Sequence, residues 1–277
     1  MAQSAQRALA SLPGSTRAAG LGGAGAAVVG DAGAVFANPA AIATVHHLAF
    51  EASYEAYRGD TAFGSAALAL RLGRFDWGAG AQALGDTRSA DLLGVSSLVF
   101  RTGVIALGGS AKYARQALNG VTADAWAGDV GLAIAVFDIM ALGVSVQNIG
   151  GDLGAGAGGT EGTGGAGGAH LPRRTRVGFT MNYVDPQGTY RLLTTVEGQW
   201  PDAGSAFVIM GLEGGWVTHG VGLIGRTAYA GRSVVTQGSP FSFGGSVALG
   251  RLQLDYAYRA FDPPVGDTHR FGLRWIP

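Results

Sequence analysis

The chain has 277 residues, of which 49 are glycine and none is cysteine, and nineteen basic side chains balance nineteen acidic ones. With no net positive field it is not built to gather nucleic-acid phosphates, and without cysteine it has no disulfide framework, thiolate nucleophile or zinc knuckle. A hydrophobic content of 47% excludes a disordered acidic chain.

The first 45 residues are dominated by small side chains from Ser15 to Ala40. Such a segment packs closely against other backbone but cannot build a core of its own. Gly20-Leu21-Gly22-Gly23-Ala24-Gly25 formally matches a dinucleotide-binding fingerprint. That fingerprint needs a strand before it and a helix after it. No apolar strand precedes Gly20, so the nucleotide reading fails. Met1 to Gln6 has neither a basic nor an apolar leader region, which points to a mature or trimmed form of an exported chain.

From residue 46 onward the pattern is period-2 alternation. Strands are expected near 47–57, 61–71, 74–84, 92–100, 103–114, 125–137, 140–149, 171–184, 188–200, 205–217, 219–230, 240–249, 250–259 and 267–276. Val177, Phe179, Met181 and Tyr183 form one face against Arg176, Gly178, Thr180 and Asn182. Phe271, Leu273 and Trp275 likewise oppose Arg270, Gly272 and Arg274. The apolar run from Val130 to Val146 is no membrane helix, because Asp138 interrupts it and splits it into two strands. Turn residues fall between the segments at Arg58-Gly59-Asp60, Gly73-Arg74, Asp185-Pro186-Gln187-Gly188 and Asp262-Pro263-Pro264. Gly150 to His170 is a Gly-rich loop.

About fourteen one-sided strands of this length predict an all-β fold, a closed antiparallel transmembrane β-barrel. Tyr54, Tyr57, Trp126, Tyr183, Trp200, Trp216 and Trp275 sit near strand ends, as interfacial girdles require. The polar faces carry Gly, Ala, Ser and Thr with few charges, unlike the outside of a soluble sandwich. The last residues, Trp275-Ile276-Pro277, keep the alternation but displace the terminal aromatic of an outer-membrane barrel.

Arg17-Ala18-Ala19-Gly20-Leu21-Gly22-Gly23-Ala24, Asp31-Ala32 and Asn38-Pro39-Ala40 resemble the amino-terminal signature of the PorV/PorQ family and of the wider FadL-like outer-membrane barrels. Lys112-Tyr113, Asp129-Val130-Gly131 and Gln147-Asn148-Ile149-Gly150 are similar to that family's mid-barrel pattern, and Leu254 to Phe271 to its carboxy-terminal hairpin. The resemblance covers nearly the whole chain. It implies a 14-stranded barrel, residues 46–277, whose amino-terminal hatch, residues 1–45, plugs the lumen. Gly20, Gly22, Gly23, Asp31, Asn38, Pro39 and Ala40 are its plug motif. Glu51, Glu55, Asp76, Asp129, Glu197, Glu213 and Asp255 are then expected in the lumen, opposite Arg71, Arg226, Arg259, Arg270 and Arg274. Their expected role is structural pairing and hydration.

Two functions follow from the resemblance. PorV-like members are accessory barrels of type IX protein secretion, partnered with a large translocon and secreted substrates. FadL-like members conduct fatty acids or other hydrophobic small molecules. The tight turns favour the secretion role, and a structural envelope barrel is a third reading. Outer-membrane lipid is the expected surround in each case. No enzyme, cofactor or metal is expected: His46 and His47 are adjacent and point to opposite faces of a strand, and the other histidines stand alone.

Overall fold

A computed structural model describes residue 9 and residues 12–57, 60–86, 89–118, 121–137, 139–150, 152–155, 169–183, 189–202, 204–231, 238–263 and 265–275. Fourteen strands form the wall: β1 (Leu48–Ala56), β2 (Ala62–Leu72), β3 (Phe75–Gly85), β4 (Ser89–Thr102), β5 (Ile105–Leu118), β6 (Val121–Val136), β7 (Met140–Ile149), β8 (Arg174–Asn182), β9 (Tyr190–Pro201), β10 (Phe207–Thr218), β11 (Val221–Ala230), β12 (Gly238–Leu249), β13 (Leu252–Phe261) and β14 (Thr268–Trp275). Each pairs antiparallel with its sequence neighbours, and β1 pairs with β14 to close the ring. Two short segments, Asp152–Ala155 and Ala169–His170, pair with each other, and the first also pairs with β6. Most of the Gly-rich stretch between 150 and 170, and the turn at 185–188, lie outside the described residues.

An even strand number brings the start of β1 and the end of β14 to the same end of the barrel. That end carries the tight turns at Gly73-Arg74, Gly103-Val104, His219-Gly220 and Gly250-Arg251. Pairing is in register along nearly every strand. One exception is a bulge between β6 and β7, where Asn148 takes a left-handed conformation (φ 60°).

The apolar faces point outward. Leu98, Leu107, Val130, Met210, Leu223, Leu254 and Phe271 are all exposed, whereas their neighbours Ser97, Asp129 and Asp255 are buried. A continuous belt of this kind is costly in water and marks a surface made for lipid. Among the described residues no helix is long and apolar enough to cross a membrane. Most of the aromatic residues expected at the lipid surface are exposed, with Trp126 at 68% and Tyr183 at 53%. Tyr57 differs: its phenol oxygen accepts a hydrogen bond from the buried-side Arg259 (3.5 Å).

The core therefore lies inside the ring, and the amino-terminal segment supplies half of it. Helix α1 (Thr16–Gly20) is capped by Ser15, whose Oγ accepts from the Ala18 amide at 2.9 Å. It stops because Gly22 and Gly23 take positive φ (70° and 90°). Gly20 to Gly25 thus ends a helix rather than opening one, the reverse of the arrangement a dinucleotide fingerprint needs. Two 3-10 turns follow, Ala32–Phe36 and Pro39–Thr44. Asn38 caps the second, and Pro39 sits at its first position, where a missing N–H costs nothing. Val35, Phe36 and Ile42 pack on Ala67, Ala69, Val99, Ala106 and Ala133 of the wall.

Inward glycines make this contact possible. Gly108 and Gly131 are register partners on β5 and β6. A Cβ on Gly108 would lie 2.7 Å from the Ala40 nitrogen, and one on Gly131 would overlap Asn38 Oδ1. Gly143 and Gly178, partners on β7 and β8, admit Ala26 and Ala27 in the same way.

Candidate functional site

The inward charges and the amino-terminal segment meet in the middle of the ring. Arg17 grips Glu213 with two nitrogens (Nε 2.8 Å, Nη2 2.9 Å). Glu213 also takes Arg226 Nε at 2.6 Å and lies 2.7 Å from Arg191 Nε. Arg226 continues to Asp255 (3.2 Å), Asp255 to Arg274 (2.9 Å), and Arg274 to Asp31 (2.5 Å). Asp31 returns to Arg17 at 2.9 Å. The result is a closed ring of alternating charge, three guanidinium groups and three carboxylates. Arg17 and Asp31 come from the segment; Glu213, Arg226, Asp255 and Arg274 come from β10, β11, β13 and β14. Ser246 of β12 bridges Arg226 and Asp255. Inside a low-dielectric lumen each member depends on its neighbours, because an unmatched buried charge is expensive.

Other wall carboxylates hold the segment by its backbone. Glu197 Oε2 accepts from the Gly25 and Ala26 amides, both at 2.7 Å, while Arg176 pairs with its other oxygen (2.7 Å) and donates to the Gly23 carbonyl. Glu51 accepts from the Thr16 and Gly33 amides, each at 3.2 Å. Glu55 binds Arg259 (2.9 Å) and Arg270 (2.7 Å), and Arg270 donates to the Pro13 carbonyl. Asn38 is fully buried: its Nδ2 donates to the Ala26 carbonyl (2.7 Å) and to Leu132 of β6 (3.1 Å), and its Oδ1 accepts from Ala40 (3.0 Å). Gly20 lies against Gly244, and Gly22 against Ile209 and Ala228.

Asp129 pairs with Lys112 at 2.7 Å, and Lys112 reaches Asn148 Oδ1 at 3.1 Å. The Asn148 amide donates to Asp129 and its side chain to the Pro172 carbonyl (both 2.8 Å). The three mid-chain motifs thus converge on one bulge and fix it. Asp76 pairs with Arg101 (2.5 Å), whereas Arg71, its register partner, is exposed. Among the described residues no group of three His, Asp or Glu is placed to hold a metal.

The sequence pattern left Arg17, Lys112, Arg176 and Arg101 out of the expected lumen charges, and also Gln82 and Asp91 on β3 and β4. The last two are buried, and among the described residues Gln82 Nε2 and Asp91 Oδ1 have no hydrogen-bond partner. Their inward positions in the alternation of β3 and β4 were the available signal.

Burial alone would push the Asp31 carboxyl up, but Arg274 and Arg17 outweigh it and hold it below the usual carboxylate range. Burial also works against the Arg17 cation, yet Glu213 and Asp31 raise its pKa. A depressed carboxyl contributes stability that is fully present above the unfolded value, about 3.9, and is lost as pH falls through the lower folded value. The segment is therefore expected to stay seated at neutral pH and to loosen only in strong acid. Tryptic cleavage at Arg17, followed from pH 8 with acid-pulsed samples, checks this. Asp31→Asn should expose the site already at neutral pH.

At the tight-turn end a cavity of about 360 Å³ opens beside the second 3-10 turn. Val29, Thr44, Ile105 and Met140 line it together with Arg101 and Arg191. It stands between the segment and that mouth of the barrel.

The chain matches solved structures over nearly its whole length. The Pseudomonas putida toluene transporter TodX superposes with a TM-score of 0.67 at 11% identity, over 94% of this chain and 96% of that one. A Pseudomonas aeruginosa FadL homologue gives 0.65 at 12% identity, over 95% and 98%. The Ralstonia pickettii toluene transporter TbuX gives 0.62 at 15% identity, again over 95% and 98%. The fold is that of the FadL-type outer-membrane transporters. At these identities the likeness concerns the fold alone. No family model and no curated protein sequence matches the chain.

Proposed function

We propose that this FadL-type barrel is an outer-membrane channel for hydrophobic small molecules, with residues 12–45 as a plug in its lumen. The observation that carries the reading is full-length likeness to proteins described as toluene transporters and a FadL homologue. The plug motif supports it: Asn38, Pro39 and Ala40 sit against Gly108 and Gly131, and Asp31 joins the charge ring. The cavity beside Thr44, lined by apolar side chains together with Arg101 and Arg191, supplies a vestibule at the tight-turn mouth. The location proposed is the bacterial outer membrane.

The secretion-accessory role implied by the PorV/PorQ resemblance is the second reading. It rests on the short turns, and the likeness to hydrocarbon transporters favours uptake over it. Expression with an export signal in cells lacking their own such channels tests the choice. Faster toluene entry, with the barrel migrating as a heat-modifiable species, is expected. Unchanged entry with a folded barrel, and co-purification of a giant translocon, would reverse the order.

A further inference from the structure

At the end of the lumen opposite the tight turns, β2 to β6 present an apolar patch built of Phe63, Leu93, Ala114 and Ala125. Leu9 of the amino-terminal segment packs on it. Two polar side chains interrupt the patch. Gln82 stands opposite Leu93, and Asp91 stands opposite Leu84, two positions further on the same face. Diagonal neighbours of this kind are about 7–8 Å apart at Cα, within reach of long side chains. Both are buried, Gln82 to 3% and Asp91 to 5% exposure. Gln116, the register partner of Asp91, hydrogen-bonds its carboxyl, yet among the described residues Asp91 Oδ1 has no donor and Gln82 Nε2 has no acceptor. Leu9 offers neither. A buried donor and a buried acceptor at diagonal positions are a mismatch with the apolar patch around them.

We propose that this patch is a binding subsite for a hydrophobic molecule bearing a neutral hydroxyl group, whose apolar body takes the place of Leu9. The inference rests on the uptake reading and names its substrate class. A hydroxyl serves both orphans with one atom: its O–H donates to Asp91 Oδ1, and its lone pair accepts from Gln82 Nε2. A bare hydrocarbon leaves both unpaired. A carboxylate meets the Asp91 carboxyl. Arg270, over the Phe63 ring at 4.3 Å, is already engaged by Glu55 and the Pro13 carbonyl.

The test uses three probes of one shape, toluene, p-cresol and p-toluate, titrated calorimetrically against the full chain in maltoside micelles. p-Cresol is expected to bind ~10-fold tighter than either of the others. In Asp91→Leu and Gln82→Leu the ratio of p-cresol to toluene affinity should collapse toward one, with heat-modifiable migration confirming each barrel. Leu9→Ala, which frees the patch, should raise p-cresol affinity. The wild-type comparison stands even where a wall variant does not fold. Equal or tighter binding of toluene or p-toluate, or a ratio untouched by both substitutions, overturns the proposal. Toluene binding without a p-cresol preference leaves the channel reading intact and removes only this one. Binding of none of the three by a folded barrel removes both.

Discussion

Glu213→Ala is expected to unseat the amino-terminal segment and to destabilise the barrel by ~3–5 kcal/mol, the cost of breaking one partner out of a buried ion pair. Three guanidinium groups converge on this carboxylate: Arg17 through two bonds, Arg226 at 2.6 Å and Arg191 at 2.7 Å. Glu213 is fully buried. Its removal leaves Arg17 and Arg226 facing each other in the lumen with only Asp31 and Asp255 to balance them. The double variant Arg17→Met, Glu213→Leu tells the two contributions apart. Replacing both partners of a buried pair by apolar groups is often neutral, so the double variant should be more stable than Glu213→Ala. Its segment should nevertheless sit loosely, since Asp31 loses Arg17. Thermal loss of heat-modifiable migration measures the wall, and tryptic cleavage near residue 17 measures the segment. A single variant that melts within ~1 kcal/mol of wild type, with Arg17 still protected, sinks this account of the ring.

The wall was legible in the sequence because a lipid-facing barrel obeys a single rule, apolar outward and small or polar inward. Arg176, Gly178 and Thr180 against Val177, Phe179 and Met181 is that rule written out, and the structure turns the two faces as expected. The strand ends were less legible. β4 to β6 run beyond the lengths expected from apolar alternation, to Ser89–Thr102, Ile105–Leu118 and Val121–Val136. Their extra turns hold polar residues, which the alternation reads as loop. Cross-strand pairing compensates: Arg115 faces Asp124, and the Tyr113 hydroxyl donates to Asp124 at 2.8 Å.

Partner choice inside the lumen was not legible, because it joins residues up to 257 positions apart in the chain. Arg71 shows the difficulty at close range. It lies directly opposite Asp76, yet Asp76 takes Arg101, the diagonal neighbour. Arg101 wins because its Nη2 also donates to the Gly73 carbonyl at 2.6 Å, so one side chain closes the turn and neutralises the acid. Arg17 was hidden differently. It stood in the amino-terminal signature with no role assigned to it, whereas it is the segment's main charge contact with the wall.

Conductance is expected to separate inward from outward glycines. Gly143 of β7 lies under the segment: a Cβ there would overlap the Ala26 carbonyl and come within 2.9 Å of Ala27 Cα. Both obstacles are backbone, so no rotamer change relieves them, and overpacking of this sort costs about 1–3 kcal/mol or displaces one side. The wall strand is held by its ladders to β6 and β8. The segment is held to the wall at this point by two hydrogen bonds from its Gly25 and Ala26 amides to the Glu197 carboxylate. The segment should therefore move, and Gly143→Val should raise single-channel conductance in planar bilayers well above the wild-type level. Gly214 of β10 provides the control, because a Cβ there meets nothing closer than 3.9 Å. Gly214→Val should conduct as wild type does, and slightly favour the strand by its β-branched side chain. If both valines raise conductance alike, the glycine-lined contact does not hold the lumen shut. If only Gly143→Val does, the inward glycines under the segment have a specific mechanical meaning: they let wall and segment touch backbone to backbone.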